Sequence, residues 1–328
     1  MRDILENYEA AAEAWADENI KGNKFRCPGC DKWIDIKDGH PCNNSPYALP
    51  ICGICMDERI KQMIWEKEIE KISTWMREYS EKAGTKGFVV GLSGGIDSAV
   101  IACLAVKAVG KESVIGISLP ENGTDNDYHK DAQKLAENLG ISFETNGIGI
   151  SSTIVKNTFK MATQKNVSQL SYANIKARLR MLILYLMAGE EGMLVAGTGN
   201  LSELMIGYFT KFGDGGVDIE PIGNYYKTEV YEMAKYMPEI PENIKIKAPS
   251  ANLWDGQTDE DEIGFSYAKL DEILRALNEN NISKLDTLPI DEIEKVQKMI
   301  KQTAHKSKIP PRFEVERSNN ISILQQEV

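Results

Sequence analysis

Short apolar runs alternate with helical patterns over residues 88–207, and this alternation constrains the fold more than any other feature of the chain. The apolar runs predict strands at Phe88–Leu92, Ser113–Leu119, Ile141–Thr145 and Met193–Ala196. Helical spacing between and after them predicts helices over Ser98–Val109, Asn126–Leu139, residues 150–188 with a break near Lys165–Ser168, and Leu201–Gly207. Strands separated by crossover helices pair in parallel. We therefore predict an α/β fold with a doubly wound, mostly parallel sheet.

A glycine-rich loop follows the first predicted strand and leads directly into a helix: Ser93-Gly94-Gly95-Ile96-Asp97-Ser98. Two glycines let the backbone approach an anion closely, and the N–H groups of the following helix start face it. The loop is not a Walker A sequence, because Asp97 stands where that motif has its lysine. A carboxylate beside phosphates requires a cation between them, so Asp97 predicts Mg²⁺ on a bound pyrophosphate group. A simple turn before a helix would explain the glycines but not Asp97.

A second loop with charges and glycines, residues 197–218, follows the last predicted strand and so lies at the same edge of the sheet. Its Glu203 is an acid able to share the metal with the first loop, and Lys211 and Asp214 flank a run of glycines. Lys227 follows in the segment GNYYKTEVY. These residue types suit a loop that closes over a phosphate-bearing ligand. A mobile surface loop is the alternative that composition leaves open.

Five of the six cysteines fall between Cys27 and Cys55. They form two CxxC pairs, whose spacing lets both sulfurs of each pair reach one tetrahedral zinc ion. The predicted ligands of a structural Zn²⁺ are Cys27, Cys30, Cys52 and Cys55. Disulfides or inert thiols are the alternative, which a reducing compartment disfavours. His40 and Cys42 lie between the pairs and could replace a ligand.

These patterns divide the chain into two parts. We predict an N-terminal helix and zinc module over residues 1–58 and a catalytic domain over residues 59–328, coupled by a helix over residues 56–82. Cys103 lies in an apolar run and is predicted to be a core residue. The acidic run at residues 255–262 predicts a solvated loop.

The net charge and the hydropathy of the chain limit the classes of partner that it is expected to bind. The net charge of −11 weighs against a duplex-DNA or tRNA partner, whose phosphates require a basic face. The first 20 residues are acidic and amphipathic, unlike a secretory leader, and no apolar stretch reaches the ~18 residues of a membrane helix. We expect a cytoplasmic protein without membrane or nucleic-acid partners.

The loop SGGIDS resembles the pyrophosphate loop of the N-type ATP pyrophosphatases. Four further segments are similar to the NAD synthetases of that superfamily: NIKARLRM at 174–181, residues 197–236, residues 247–267, and AHKSKIPPRF at 304–313. The similarity spans residues 65–313 and involves many separate motifs in the same order. It implies ATP-dependent amidation of deamido-NAD with ammonia through an acyl-adenylate, which releases AMP and pyrophosphate and forms NAD⁺.

The resemblance also implies roles for individual residues. The implied ATP contacts are Ser93, Gly94, Gly95, Ile96, Asp97, Ser98, Thr198, Lys227 and Ser250, with Ser250 standing where the family usually has threonine. The implied Mg²⁺ ligands are Asp97 and Glu203, which with Lys227 form the expected catalytic set. The implied deamido-NAD contacts are Arg178, Lys211, Asp214, Asp218, His305 and Lys306. Family members are homodimers, so a homodimer is expected.

The sequence is also compatible with two other functions. A tRNA-thiolating relative would combine a pyrophosphate loop with zinc knuckles, but the acidic charge and the 197–218 segment count against it. A non-catalytic nucleotide sensor would use the zinc module to bind a partner protein, which the intact Asp97, Glu203 and Lys227 disfavour. Glutamine-dependent relatives carry an additional amidase domain, and only about 80 residues precede the loop here, so we expect free ammonia or a separate amidase subunit to supply the nitrogen.

Overall fold

The computed structural model describes residues 20–21, 24–26, 33–35, 53–121, 123–250 and 257–313, and before Lys61 it describes the backbone alone. Near the amino terminus, strands β1 (Ile20–Lys21), β2 (Lys24–Arg26) and β3 (Trp33–Asp35) form an antiparallel sheet. The first helix, α1 (Gly53–Ala83), begins before the predicted residue 56, so the backbone of Cys55 is helical. The predicted N-terminal helix, Cys27, Cys30, His40, Cys42, Cys52 and the Cys55 side chain lie outside the described residues.

A parallel sheet forms the centre of the larger unit. Its strands are β4 (Phe88–Gly91), β5 (Val114–Ser118), β6 (Ser142–Thr145) and β7 (Leu194–Ala196). They lie in the order β6-β5-β4-β7, and β4 pairs in parallel with both β5 and β7. The chain thus adds strands on one side of β4 and then crosses to the other, which makes the carboxyl ends of β4 and β7 a ligand-binding switch point. The predicted α/β fold with a parallel sheet is confirmed.

Helices cover both faces of this sheet. They are α2 (Ile96–Val109), α3 (Asp127–Leu139), α4 (Gly149–Thr163), α5 (Gln169–Glu191), α6 (Leu201–Ile206) and α7 (Lys227–Ala234). Side chains of a strand alternate between faces. Phe88 and Val90 therefore pack in one core with α1, α2, α3 and α7, whereas Val89 packs on the opposite face with α5. Because α2 is apolar on nearly all sides, it is almost completely buried.

The described part of the chain after Pro221 is mainly helix and loop, as the sequence pattern predicts with helices at Thr228–Tyr236, Ser266–Asn278 and Ile290–Thr303. It contains α8 (Glu242–Ile246), α9 (Asp259–Ile263), α10 (Tyr267–Asn278), α11 (Ile282–Leu285) and α12 (Ile290–Thr303). Leu270 and Leu274 of α10 and Val296 of α12 form a second core with Ile206 of α6. This core holds α6, and the start of α7, against α10. None of the helices described in the structure is both long and apolar enough to span a bilayer.

Two helix starts at the sheet edge differ from prediction. Helix α2 begins at Ile96 rather than Ser98, because Gly95 has the extended backbone of an N-cap residue (φ −98°, ψ 165°). Asp97 consequently lies in the first turn of α2 and not in the loop. Helix α7 begins one residue before its predicted start, with Lys227 in its first position.

Candidate active site

The loop after β4 is folded by its own hydroxyl groups. Ser98 Oγ donates to the Gly95 carbonyl at 2.9 Å and lies 3.1 Å from Ser93 Oγ, which accepts from the Gly95 N–H at 3.2 Å. Gly94 has φ of 78°, and a Cβ there would lie 2.1 Å from the backbone oxygen of Tyr128. Glycine is therefore required, and the loop turns at the carboxyl end of β4 as a phosphate-binding loop must.

Three charged side chains meet beside this loop. Lys227 Nζ bonds Asp97 Oδ2 and lies 3.5 Å from Glu203 Oε1. The Lys227 side chain is only 3% exposed, and each carboxylate is 17% exposed. The structure thus brings the predicted catalytic set together from α2, α6 and α7.

Asn200, which was not among the predicted site residues, forms hydrogen bonds with two members of this set, Asp97 and Glu203. Its Oδ1 accepts the Glu203 N–H at 3.1 Å, and Glu203 Oε2 accepts the Asn200 N–H at 3.5 Å, which forms a capping box at the start of α6. The Asn200 amide also donates to Asp97 Oδ1 at 3.1 Å. An asparagine three residues before a glutamate is a sequence pattern typical of a helix start, so the local role of Asn200 could have been predicted. The bond to Asp97, by contrast, depends on the tertiary fold.

The electrostatics of the set favour cations. Burial alone would lower the pKa of Lys227, but the carboxylates of Asp97 and Glu203 outweigh it, so the pKa is raised and the ammonium stays charged. Burial raises the pKa of Glu203, and Lys227 opposes this while Asp97 and Asp259 add to it. Two acids directed at one position hold negative charge that a cation must balance.

A tyrosine connects Glu203 to further acids. Tyr267 Oη lies 3.2 Å from Glu203 Oε1 and 3.3 Å from Asp259 Oδ2, and Asp259 also accepts from Tyr208 at 3.2 Å. The predicted solvated loop at residues 255–262 is therefore wrong for Asp259, which begins α9 and is only 4% exposed. The acidic run indicated exposure, but these two tyrosine hydroxyls give one of its carboxylates buried partners.

Glu220 is a half-buried acid that was not among the predicted site residues. Its Oε2 accepts the Gly199 N–H at 3.1 Å, and a Cβ at Gly197 would lie 2.5 Å from the same oxygen. Burial raises the pKa of Glu220 to about 8, and the Gly199 hydrogen bond opposes this. A cavity of about 40 Å³ is lined by Thr198, Gly199, Glu203, Leu204, Phe209, Asp214, Gly215 and Glu220. The predicted ATP contact Thr198 therefore lines the same cavity as Glu203.

Several residues predicted to bind deamido-NAD are joined through the second loop. Arg178 Nη2 donates to the Lys211 carbonyl at 3.3 Å, and Lys211 Nζ donates to the His305 carbonyl at 2.8 Å. Lys306 Nζ donates to the Phe209 carbonyl at 2.8 Å. Residues far apart in sequence thus meet, and backbone carbonyls accept hydrogen bonds from all three basic side chains.

The two predicted acidic contacts of the loop have different surroundings. Asp214 Oδ1 accepts the Thr210 N–H at 3.0 Å and so folds the glycine-rich turn on itself. Asp218 accepts the Val195 N–H at 2.8 Å and the Tyr185 hydroxyl at 3.0 Å. Asp218 is therefore bonded to β7 and α5, whereas Asp214 bonds within the loop.

Ser250 lies on a segment attached to α3. Lys247 of this segment pairs with the buried Asp131 of α3, and its Nζ lies 4.2 Å from the centre of the Tyr128 ring. The Ser250 hydroxyl donates to the Gln257 carbonyl at 2.7 Å. The backbone carbonyl of Tyr128 also lies against Gly94, so helix α3 contacts both this segment and the phosphate loop.

The fold and the site define a class of protein. A parallel α/β sheet with a glycine-rich loop at its switch point, a carboxylate in the first helical turn and a facing lysine and glutamate is an arrangement for handling a phosphate ester with a cation. The profile of the NAD synthase family matches residues 68–310, and the chain belongs to this family.

Curated relatives and solved structures support the same family assignment. The chain is 43% identical over 254 residues to an NH₃-dependent NAD⁺ synthetase of Methanosarcina acetivorans, an alignment that covers 76% of this chain and 98% of the relative. The fold is similar to the NMN synthetase of Francisella tularensis, with a TM-score of 0.67 and 37% identity over 76% of this chain and 99% of that one. It is also similar to the NH₃-dependent NAD synthetase of Campylobacter jejuni, with a TM-score of 0.65 and 33% identity over 76% and 99% of the two chains.

Proposed function

We propose that this protein is an ammonia-dependent NAD⁺ synthetase, which amidates deamido-NAD with ATP and ammonia and releases AMP and pyrophosphate. The observation that carries the proposal is the buried Lys227 between Asp97 and Glu203, beside a loop shaped for phosphate. The M. acetivorans relative is an NH₃-dependent NAD⁺ synthetase, which is the same activity. Because the reaction consumes ATP, we expect it to occur in the cytoplasm.

Magnesium fits the donors of this site. Mg²⁺ is commonly bound by one or two carboxylates together with substrate phosphates. Asp97 and Glu203 supply two carboxylates that already approach one cation, the Lys227 ammonium. Bound Mg²⁺ would offset negative charge on the leaving pyrophosphate.

The proposed chemistry needs no protein nucleophile. A carboxylate oxygen of the nicotinate group attacks the α-phosphorus of ATP, and the bond from that phosphorus to pyrophosphate breaks. Ammonia then attacks the carbonyl carbon of the acyl-adenylate, loses a proton and expels AMP. Lys227 and the loop N–H groups stabilise charge on the departing pyrophosphate, so the chain acts chiefly by positioning and electrostatics.

The remaining predicted contacts divide between the two substrates. We assign ATP to the loop residues Ser93, Gly94, Gly95, Ile96 and Ser98, with Thr198 and Ser250. We assign deamido-NAD to Arg178, Lys211, Asp214, Asp218, His305 and Lys306. Deamido-NAD carries a pyrophosphate and a carboxylate, for which guanidinium and ammonium groups are suitable partners. Closure of the 208–218 loop would protect the acyl-adenylate from water.

The assay that tests this function supplies purified protein with ATP, deamido-NAD and either ammonium or glutamine. We expect NAD⁺, AMP and pyrophosphate in equal amounts with ammonium, and no NAD⁺ with glutamine alone. Asp97→Asn should lower pyrophosphate release roughly 10²-fold, because the site loses a metal ligand and one partner of Lys227.

Asp127→Asn is the matched control, since it removes the same charge from the first turn of the neighbouring helix α3. This variant should retain the wild-type rate. Turnover with glutamine alone would refute the ammonia assignment, and undiminished pyrophosphate release by Asp97→Asn would refute the catalytic site. A preference for nicotinate mononucleotide over deamido-NAD would place the chain with the F. tularensis enzyme instead.

We also propose that Cys27, Cys30, Cys52 and Cys55 bind one structural Zn²⁺ in a module that the catalytic unit does not need for chemistry. Two CxxC pairs support this, and four thiolates leave no open position for water. Elemental analysis of the full chain should find about one zinc per chain, lost in Cys27→Ser but kept in Cys103→Ser. Zinc removal should lower thermal stability more than kcat. A disulfide or the absence of metal would contradict the proposal.

We further propose that a second copy of the chain covers α4 and α5. These helices are joined by the Ser152 and Tyr172 hydroxyls at 2.9 Å, and both expose large apolar side chains, including Ile150, Ile154, Leu182 and Leu186. Apolar surface of this kind marks an interaction site. Light scattering should therefore give twice the 36.6 kDa chain mass. The zinc module would contact either this second copy or another protein.

A further inference from the structure

The start of helix α7 obtains its hydrogen-bond acceptors from two distant elements. The first N–H groups of a helix have no partner within it and are usually capped by a preceding side chain. Here the N-cap residue, Tyr226, has no short oxygen-bearing side chain of that kind. Instead the Lys227 N–H donates to Ser202 Oγ of α6 at 2.9 Å, and the Thr228 N–H donates to Asp271 Oδ2 of α10 at 2.9 Å.

Asp271 is the centre of this arrangement. It is 2% exposed and lies on α10, whose Leu270 and Leu274 belong to the second core. Its second oxygen, Oδ1, accepts the hydroxyl of Ser202, which is itself fully buried. A buried carboxylate is costly unless hydrogen bonds satisfy it. Both oxygens of Asp271 therefore have a hydrogen-bond partner. Oδ2 accepts the Thr228 N–H at the start of α7, and Oδ1 accepts the hydroxyl of Ser202, which in turn accepts the Lys227 N–H.

The same turn of α6 therefore holds Lys227 at both ends. Ser202 accepts the backbone N–H of Lys227, and Glu203, the next residue, lies 3.5 Å from its Nζ. Asn200 of this turn fixes Asp97, the other partner of the ammonium. A carboxylate at the positive end of a helix also stabilises that end electrostatically. Asp271 thus holds α7 in the register that directs Lys227 into the site.

We propose that Asp271 and Ser202 are positioning residues for Lys227 in the proposed reaction. They act through the backbone of α7 and touch no reacting atom. Their loss should allow the helix start to shift and should move the ammonium away from the leaving pyrophosphate. Misplacement by about 1 Å of a group that aligns the reaction can cost roughly 10²-fold in rate. The inference rests on the proposed function of Lys227.

A double-mutant cycle distinguishes positioning from a general structural role. Single-turnover pyrophosphate release from ATP and deamido-NAD is measured for wild type, Asp271→Asn, Lys227→Met and the double variant. Asp271→Asn should lower the rate about 10–100-fold, with the KM for deamido-NAD changed less than about twofold. In the Lys227→Met background the same change should have almost no further effect, because the group that Asp271 positions is absent.

Ser202→Ala gives an independent arm, since it removes the acceptor of the Lys227 N–H and leaves the Asp271–Thr228 bond in place. It should lower the rate about tenfold, again only when Lys227 is present. Ile273→Val is the control, because Ile273 is fully buried in the same helix and core and is a partner in neither of the two α7 hydrogen bonds. It should lower the melting temperature without changing the rate.

Calorimetric titration with MgATP alone separates this inference from the proposed function. Asp271→Asn should weaken MgATP binding about three- to tenfold, whichever acid the wild-type protein amidates. Should wild type fail to make NAD⁺, the proposed function fails while this comparison still applies. The positioning role is overturned if Asp271→Asn keeps the wild-type rate, or if it lowers the rate by the same factor with and without Lys227.

Discussion

Lys227→Met should lower kcat for NAD⁺ formation roughly 10²–10³-fold, the loss typical of removing one preorganised charge from a developing anion. Methionine has a similar length and apolar stem but cannot stabilise charge on the departing pyrophosphate. The Lys227 side chain is only 3% exposed, so water cannot readily substitute for the ammonium. The measurement is pyrophosphate release in a single turnover with ATP, deamido-NAD and ammonium.

The control for this variant must account for the acids that it leaves unpaired. Removing one partner of a buried ion pair destabilises a protein, so Lys227→Met should also lower the melting temperature. Adding Asp97→Asn removes one of the two unpaired acids and should restore part of the lost stability. Because Asp97→Asn itself lowers the rate, activity is compared for Lys227→Met alone, well below its melting temperature. A wild-type rate there would show that the role of Lys227 is structural, and the proposed chemistry would lose its main electrostatic component.

Gly94→Ala should reduce kcat/KM for ATP roughly 10²-fold, because the substitution changes the shape of the phosphate loop. Gly94 has φ of 78°, which L-residues rarely adopt, and the added Cβ would lie 2.1 Å from the backbone oxygen of Tyr128. That oxygen belongs to helix α3 and cannot move as a side chain could. The loop must therefore shift, and its N–H groups would no longer meet the phosphates. Steady-state kinetics with varied MgATP measures the effect.

Gly110→Ala is a matched control at the opposite end of the same helix. Gly110 has φ of 83°, and a Cβ there would meet nothing within 4 Å. Both variants should therefore lose stability through backbone strain of about 1–3 kcal/mol. Only Gly94→Ala should lose activity. Equal kinetic losses in the two variants would show that strain in α2, and not the clash at the loop, causes the effect.

Local sequence patterns predicted the parallel sheet, and they placed Asp97 and Glu203 at one edge of it, for identifiable reasons. The runs around Phe88 and Val114 are short, apolar and bounded by glycine or charge, so they are unambiguous strands. Asp97 and Glu203 follow strands that turned out to be neighbours, and parallel strands end at one edge. Helix starts were less accurate, because Gly95 acts as an N-cap through its backbone conformation, which the sequence alone does not display.

The residues that were missed all owe their roles to tertiary contacts. Asp271 follows an apolar residue within an amphipathic helix and is indistinguishable there from a solvated acid. Asp259 belongs to an acidic run whose usual meaning is exposure, yet Tyr208 and Tyr267 satisfy it in the interior. No local pattern encodes contacts between α6, α7 and α10, because the second core sets how these helices pack.

The most direct test of the central claim uses deamido-NAD labelled with ¹⁸O in its nicotinate carboxylate. The attacking oxygen becomes the bridge of the acyl-adenylate and leaves with AMP when ammonia displaces it. Mass spectrometry of a single turnover with ATP and ammonium should therefore find one ¹⁸O in AMP, unlabelled pyrophosphate, and one ¹⁸O remaining in the amide of NAD⁺. Two results would contradict adenylation and with it the roles assigned to Asp97, Glu203 and Lys227. One is ADP with ¹⁸O in inorganic phosphate, which attack at the γ-phosphorus would give, and the other is unlabelled AMP with ¹⁸O in pyrophosphate, which attack at the β-phosphorus would give.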